Sequence, residues 1–338
     1  MNTLSQLEDQ LSTPSQRLID DLAQTPGDIL VLGAGGKMGP SLCKLAKRAI
    51  DAGGLNKRVI AVSRFSEGSL KQELETAGIE TIAADLLDDA QLQALPEAEN
   101  VLYMAGRKFG TQGNQGLTWA MNAYLPGRVA EKYRHARIVV FSTGNVYPLS
   151  PIEAGGSDES SPVDPAGEYA QSCLGRERMF EHFSRVHGTP ILLFRLNYAI
   201  DLRYGVLLEV AKSVWEGRPL DLSMGHVNVI WQGDANEYAL RALLHCESPA
   251  RILNVTGPEL IPLRWLAERF GQIMEKKPTF AHEPEPTALL NNASAAHRIF
   301  GYPSITLRQM IEWTAAWVQQ GGRELGKATH FQERKGEF

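Results

Sequence analysis

A glycine-rich turn near the start of the 338-residue chain constrains the fold more than any other feature of the sequence. Residues 29–32 (ILVL) form a continuous apolar run, which is typical of a strand buried on both faces of a parallel sheet. Glycines follow at intervals of three, and residues 41–50 then carry apolar side chains at helical spacing. Glycine allows a tight turn and the close approach of a pyrophosphate, which the N-terminus of the following helix attracts. The turn predicts a dinucleotide site whose contacts include Gly33, Gly36, Lys37, Met38 and Gly39.

The end of the second predicted strand, residues 58–62, indicates which dinucleotide binds. An acidic residue there would bind the adenosine ribose and repel a 2′-phosphate. This chain has Ser63 and Arg64 instead, and Lys37 lies in the glycine turn. Because arginine and lysine pair with phosphate, we expect NADP to be favoured over NAD as the cofactor. Two alternatives stay open, in which the Arg64 side chain is solvated or stacks on the adenine ring.

Further apolar runs alternate with helical patterns and predict a doubly wound parallel α/β sheet. The predicted strands after the second are residues 79–84, 100–106, 138–141 and 191–196. Past Asn197 the pattern changes to scattered helices and short strands. We therefore expect four parts: an N-terminal helical extension (1–27), a dinucleotide-binding domain (28–197), a substrate-binding lobe (198–320) and a flexible tail (321–338). We expect the extension to pack on the outside of the sheet or on a partner subunit.

The glycine-rich loop at residues 107–116 follows the fourth predicted strand, at the edge of the sheet where ligands bind. Such a loop is either a mobile lid over the site or a long connection.

Charge and cysteine content exclude several classes of function. A net charge of −5 with scattered Lys and Arg argues against a nucleic-acid surface. The sequence has neither an apolar run of membrane-spanning length nor an N-terminal signal pattern, so we expect a cytoplasmic protein without a membrane partner. The three cysteines have no C-x-x-C spacing and are interpreted as reduced thiols. The histidines have no metal-ligand spacing, so we expect no metal site.

Several short motifs follow the glycine turn, and their occurrence in this order is more specific than any one motif alone. They are Asp85, residues 142–147 (STGNVY), Arg195 with Asn197, residues 229–235 (VIWQGDA) and residues 252–257 (ILNVTG). The set resembles the extended short-chain dehydrogenase/reductase family, the NAD-dependent epimerase/dehydratases, over roughly residues 28–315. This resemblance implies a Rossmann-type sheet, a smaller C-terminal lobe that closes on the substrate, and often a homodimer. It also implies a small carbohydrate-derived substrate and hydride transfer at a carbon that bears a hydroxyl.

The resemblance also assigns roles to individual residues. Tyr169 matches the family's tyrosine, which abstracts or returns the hydroxyl proton, and Thr143 matches the Ser/Thr that polarises the oxygen. Asn122 matches the helix asparagine that organises a water. Further contacts with the cofactor are implied for Asp85, Leu86, Ala105, Gly106, Tyr169 and Cys173.

One element of the family pattern is missing, since the lysine of Y-x-x-x-K is replaced by Cys173. A tyrosine with its ordinary pKa of about 10 is a poor base at neutral pH, and the family's lysine stabilises the phenolate. Cysteine supplies no positive charge. We expect a replacement cation from the exit of the fourth strand, with Arg107 as the first choice and Lys108 beside it.

Three functions are consistent with this sequence. The first is an NADP- or NAD-dependent oxidoreductase, epimerase or dehydratase that acts on a sugar, a sugar nucleotide or a sugar acid. The second is a non-catalytic dinucleotide-binding protein that senses its cofactor, which an intact glycine turn beside a broken Y-x-x-x-K motif would also produce. The third is an isomerase or lyase with a tightly held cofactor and a different acid/base set.

Overall fold

A computed structural model describes residues 1, 3–66, 68–108, 113–326 and 329–336. The strands in this described part, in chain order, are β1 (Ile29–Leu32), β2 (Val59–Ser63), β3 (Glu80–Ala83), β4 (Asn100–Tyr103), β5 (Arg137–Thr143), β6 (Ser150–Pro151), β7 (Ile191–Leu196), β8 (Ala199–Ile200), β9 (Leu220–Asp221), β10 (His226–Val227), β11 (Ile230–Trp231), β12 (Arg251–Val255), β13 (Ile261–Pro262), β14 (Phe280–Ala281) and β15 (Thr287–Ala288). Residues 109–112 of the expected lid or connection lie outside the described residues.

Seven strands form one sheet in the order β12-β7-β5-β4-β1-β2-β3, and every pairing in it is parallel. The strand order reverses at β1, which pairs with β2 on one side and β4 on the other. Ligands of such sheets bind in the crevice at this switch point, outside the carboxyl ends of the strands. The expected doubly wound parallel sheet is confirmed.

The apolar runs form strands because both faces of the sheet are buried. Successive side chains of a strand point to opposite faces. Ile29 and Val31 belong to one hydrophobic core, whereas Leu30 and Leu32 belong to another on the opposite face. Since both cores exclude water, β1 needs apolar side chains at every position.

Helices cover both faces and build the second lobe. They are α1 (Leu4–Ser12), α2 (Gln16–Gln24), α3 (Gly39–Ala52), α4 (Leu70–Thr76), α5 (Asp89–Ala94), α6 (Gln115–Trp119), α7 (Leu125–Lys132), α8 (Gly167–His187), α9 (Val206–Trp215), α10 (Gln232–Arg241), α11 (Leu263–Met274), α12 (Ser294–Phe300) and α13 (Leu307–Gln319). A π-helical turn, Ala120–Tyr124, joins α6 to α7. Within the described ranges no helix is both long and apolar enough to cross a bilayer.

The N-terminal extension packs on this chain itself. In α1, Leu7 and Leu11 are buried in the core of the C-terminal lobe, together with α9, α11 and α13. In α2, Leu18 and Leu22 are buried in the core beside the sheet. The extension therefore contacts both lobes.

Residues 329–336, part of the expected flexible tail, contact the body of the protein. Phe331 is fully buried in the core of the C-terminal lobe. Arg334 forms an ion pair with Glu285 at 3.0 Å and donates hydrogen bonds to the backbone carbonyls of Ser223 and Thr287.

A buried ion pair attaches α8 to the sheet. Glu177 of α8 is fully buried and accepts two hydrogen bonds from Arg195 of β7, at 2.9 Å and 2.6 Å. Ser142 of β5 donates to the same carboxylate at 2.5 Å. The Arg195 guanidinium also donates to the Tyr147 hydroxyl, which donates to Asn254 of β12. The pair thus links three adjacent strands to the helix that carries Tyr169.

Replacing one partner of this pair should destabilise the fold strongly. In Arg195→Met, the Glu177 carboxylate stays buried without its counter-ion, which costs about 3–5 kcal/mol of unfolding free energy. Urea unfolding measures this change. The control is Arg308→Met, which breaks the exposed Arg308–Glu312 pair at 2.8 Å and should leave the unfolding midpoint nearly unchanged. Equal midpoints for the two variants would contradict a structural role for the buried pair.

Candidate functional site

A cavity of about 580 Å³ lies at the carboxyl ends of the central strands. Its walls come from the glycine turn, the exits of β4 and β5, the first turns of α8 and the segment after β7. The predicted site residues among its lining are Gly33, Gly36, Lys37, Met38, Gly39, Gly106, Arg107, Thr143 and Tyr169. The cavity therefore joins the predicted cofactor loop to the predicted catalytic pair.

Glycine occupies the three positions of the turn for different structural reasons. Gly33 has a φ of +90°, and a Cβ there would lie 2.6 Å from the backbone nitrogen of Ala105. A Cβ at Gly39 would lie 2.3 Å from the Ala34 carbonyl oxygen. At Gly36 a Cβ would meet only the Gly33 carbonyl oxygen, at an ordinary 3.5 Å. Packing of the polypeptide thus explains Gly33 and Gly39, whereas the missing side chain at Gly36 leaves space in the cavity wall.

The variant Gly36→Val should lose dinucleotide binding without unfolding. Its side chain would occupy the cavity wall where the backbone approaches a pyrophosphate, and its Cβ makes no backbone clash. Titration calorimetry with NADH and NADPH, together with thermal unfolding, measures both effects. The matched control is Gly39→Val, whose side chain collides with Ala34 and should lower the melting temperature. Unchanged affinity in Gly36→Val would remove the turn from the cofactor site.

The residues predicted at the adenosine end lie beyond this cavity. Arg64 is exposed at the end of β2, and Ser63 before it is half-buried against Gly35. Asp85 accepts a hydrogen bond from the backbone of Leu87 at 3.0 Å, and Leu86 is buried in the sheet core. Among the described residues that line the cavity, none of the four expected positions 63, 64, 85 and 86 occurs.

Tyr169 and Thr143 meet at the cavity wall. The Thr143 hydroxyl and the Cys173 thiol both lie close enough to the Tyr169 hydroxyl to affect its pKa. Thr143 donates to the Asn145 side chain at 2.9 Å. Burial, with the Cys173 thiol beside it, raises the pKa of Tyr169 above its ordinary value, while Arg176 and the Thr143 hydroxyl act in the opposite direction. Tyr169 as it stands is a weak base that needs a nearby positive charge.

Two of the expected site residues are buried behind the cavity wall. Cys173 is fully buried, packs against Val146 and Tyr147, and does not line the cavity. Ala105 is 5% exposed and lies beneath Gly33.

Asn122 lies in the π-helical turn, behind the cavity wall, and hydrogen-bonds residues that form that wall. It is fully buried, and its amide oxygen accepts from the Arg107 backbone N–H at 2.8 Å and from Arg176 at 2.9 Å. Its amide nitrogen donates to the Arg107 carbonyl at 2.8 Å and to Ser172 at 3.0 Å. These four bonds use the amide's full capacity. A water organised by Asn122, as the resemblance implies, would have to replace one of them.

Three cations surround Tyr169. Arg176, two turns further along α8, donates to the Phe141 carbonyl at 2.6 Å and to Asn122, and its charge favours the Tyr169 phenolate. The Lys108 ammonium lies 5.5 Å from the centre of the Tyr169 ring. Burial lowers the pKa of Lys108 to about 8, although Cys173 and Glu209 act to raise it. Arg107 lines the same wall, and Asn122 holds its backbone.

The second lobe contributes residues that the sequence alone does not assign to the site. Tyr198, with φ of +40°, and Tyr204 both line the cavity. The Lys37 ammonium lies 3.2 Å from the centre of the Tyr204 ring, so the glycine turn contacts the lobe directly. Thr329 lines the cavity from 160 residues beyond Tyr169. No motif marks these positions, because only the folded chain brings them to the cavity.

The sheet order, the glycine turn at its switch point and the cavity beside it define a dinucleotide-binding protein of the Rossmann type. More narrowly, the chain belongs to the NAD dependent epimerase/dehydratase family, whose sequence profile matches residues 29–200. None of the curated proteins compared with the chain gives a match.

Solved structures with the same fold span nearly the whole molecule. A tyrosine-to-phenylalanine variant of UDP-glucuronic acid 4-epimerase from Bacillus cereus, in complex with UDP-4-deoxy-4-fluoro-glucuronic acid and NAD, is 20% identical, with a TM-score of 0.71 over 87% of this chain and 99% of that one. Thermus thermophilus UDP-glucose 4-epimerase in complex with NAD is 20% identical, with a TM-score of 0.69 over 85% and 97%. Thermotoga maritima UDP-glucose 4-epimerase with UDP-glucose is 15% identical, with a TM-score of 0.71 over 87% and 99%. At these identities the likeness concerns the fold.

Proposed function

We propose that this protein is a nicotinamide-dinucleotide-dependent enzyme, an oxidoreductase, epimerase or dehydratase, that acts on a sugar, a sugar nucleotide or a sugar acid. The observation that carries the proposal is the meeting of Tyr169 and Thr143 in one cavity that begins at the glycine turn. Family membership and the NAD and UDP-sugar complexes of the similar structures support it.

The residues of the cavity fit a nicotinamide dinucleotide. The open position at Gly36, in the turn that leads into α3, would hold the pyrophosphate. A Cβ at Gly106 would lie 2.3 Å from the Arg176 guanidinium, so this position of the cavity wall leaves no room for a side chain. When bound, the nicotinamide supplies a hydride acceptor or donor.

The side chains around the cavity divide the remaining work. Tyr169 takes the proton from a substrate hydroxyl, or returns it, and Thr143 hydrogen-bonds the same oxygen. A cation from the Arg107–Lys108 pair replaces the missing lysine. It stabilises the phenolate and would bind the nicotinamide ribose. Arg176 adds to this positive field but stays bound to Phe141 and Asn122.

Turnover tests this proposal. The protein is incubated with NAD⁺ or NADP⁺ and with UDP-glucuronic acid or glucuronic acid, and reduced cofactor and sugar products are measured. Tyr169→Phe should lower the rate at least about a hundredfold, since general acid–base catalysis contributes that much. The control Tyr133→Phe removes a buried hydroxyl that donates to the Pro96 carbonyl away from the cavity, and should keep the rate.

The alternative function predicts cofactor binding without turnover. A non-catalytic dinucleotide-binding protein would also have Cys173 in place of the lysine, but the family match and the similar epimerase structures do not support that alternative. Tight NADH or NADPH binding with no turnover of either sugar would establish that alternative.

Binding of NADH should depend on pH through Lys108. Its pKa of about 8 means that the ammonium is present below that pH and is lost above it, so affinity should fall as the pH rises through about 8. A charge-assisted hydrogen bond of about 1.5–3 kcal/mol corresponds to a loss of at least about tenfold. Fluorescence titration between pH 6.5 and 9.5 measures it.

Two variants check the assignment to Lys108. Lys108→Arg keeps its charge at every pH in this range and should abolish the decline, whereas Lys108→Met should bind weakly throughout. If the decline in NADH affinity persists in Lys108→Arg, a group other than Lys108 titrates. The titratable neighbours of Lys108 are Cys173 and Tyr169, and its neighbouring cation is Arg107.

The preference for NADP over NAD rests on Ser63 and Arg64, while two of the similar structures named above carry NAD. If Arg64 binds the 2′-phosphate, Arg64→Ala should weaken NADPH binding at least about tenfold and leave NADH binding unchanged. Parallel calorimetric titrations measure both affinities. Tighter binding of NADH than NADPH by the unmodified protein would refute this preference.

A further inference from the structure

The C-terminal segment, residues 329–336, spans from the second lobe to the helix that carries Tyr169. Phe331 is fully buried in the core of the lobe, and Arg334 bonds to Ser223, Thr287 and Glu285. At its far end, a Cβ at Gly336 would lie 2.2 Å from the Ala166 carbonyl oxygen. Ala166 precedes α8, whose third residue is Tyr169. The segment is therefore held at both ends.

Thr329 begins this segment and forms part of the cavity wall. Its backbone N–H donates to the Glu209 carboxylate of α9, which fixes its position. Thr329 lines the cavity and is 3% exposed. In the described part of the chain, its hydroxyl has no hydrogen-bond partner.

An unpaired hydroxyl at this depth is unusual, because buried polar groups in folded proteins are nearly always hydrogen-bonded. Thr329 shares the cavity with Tyr169, Thr143 and Asn145, which belong to the sheet domain. A ligand between the two walls would contact both the sheet domain and the C-terminal segment. A hydroxyl both donates and accepts, so a hydroxyl of the ligand can pair with it in either direction.

We propose that Thr329 is a substrate-binding residue, whose hydroxyl exchanges a hydrogen bond with a hydroxyl group of a carbohydrate ring held between Tyr169 and the C-terminal segment. This inference rests on the proposed function and adds a residue to its substrate site. The ring belongs either to a free sugar acid or to a nucleotide-linked sugar, since both present the same hydroxyls.

The experiment compares Thr329→Val with a matched control. Valine keeps the shape of threonine and removes only the hydroxyl. Thr314→Val makes the same change in α13, where the threonine hydroxyl is also fully buried, has no partner among the described residues and does not line the cavity. Thr329→Ser restores the hydroxyl.

The probes are glucuronic acid and UDP-glucuronic acid, titrated calorimetrically into NAD⁺-saturated protein. The two differ only by the nucleotide, so the one that binds identifies the source of the ring. Thr329→Val should weaken that binding at least about tenfold, since it removes one hydrogen bond at a buried site. Thr329→Ser and Thr314→Val should bind like the unmodified protein, and all four proteins should bind NADH equally.

Equal sugar binding by Thr329→Val and the unmodified protein would overturn the assignment of Thr329 while leaving the proposed function intact. Binding of NADH with no binding of either sugar by the unmodified protein would contradict both the assignment and the proposed action on a sugar. Failure of the unmodified protein to bind NADH or NADPH contradicts the proposed function itself.

Discussion

The carboxylate of Glu177 and the guanidinium of Arg195 are both withdrawn from water, and the arrangement of the site depends on their staying together. The charges are 2.6 Å apart at their nearest atoms, and Glu177 is fully buried. Removing such groups from water is costly, and good geometry with additional hydrogen bonds offsets that cost. Here Ser142 and Tyr147 supply those bonds. The pair therefore admits only one position of α8 along β5 and β7.

That position determines what faces the cavity. Tyr169 lies about two turns before Glu177 on α8, and Arg176 is the residue next to Glu177. With the helix fixed, the Tyr169 hydroxyl meets Thr143 at the end of β5, and Arg176 meets Asn122 and the Phe141 carbonyl. Asn122 in turn holds the backbone of Arg107 through two 2.8 Å bonds. Hydrogen bonds thus run from Arg176, the neighbour of Glu177 in α8, through Asn122 to the exit of β4, where Lys108 approaches the Tyr169 ring.

The sequence predicts the parts of this structure that local patterns determine. Unbroken apolar runs such as residues 29–32 predict buried parallel strands, and the glycine spacing predicts the turn, because each depends on neighbours within a few residues. The difference between Gly36 and Gly39 is not visible in the sequence, since it depends on which backbone atoms pack against each Cα. Likewise, the sequence does not reveal that Cys173 is buried in the protein interior. The position of Thr329 depends on Phe331, which packs in the core of the lobe, and on Arg334, which donates a hydrogen bond to the distant Thr287 carbonyl.

The N-terminal helices limit how the two lobes move relative to each other. Because α1 buries Leu7 and Leu11 in the C-terminal lobe while α2 buries Leu18 and Leu22 beside the sheet, a hinge that opened the cleft would have to detach one helix. Exposing two buried leucines costs about 3–6 kcal/mol, at about 1.5–3 kcal/mol each. With about 1.4 kcal/mol for each factor of ten, fewer than about one molecule in a hundred would be open in this way. Packing of α1 and α2 on different cores therefore opposes a hinge motion that would open the cleft.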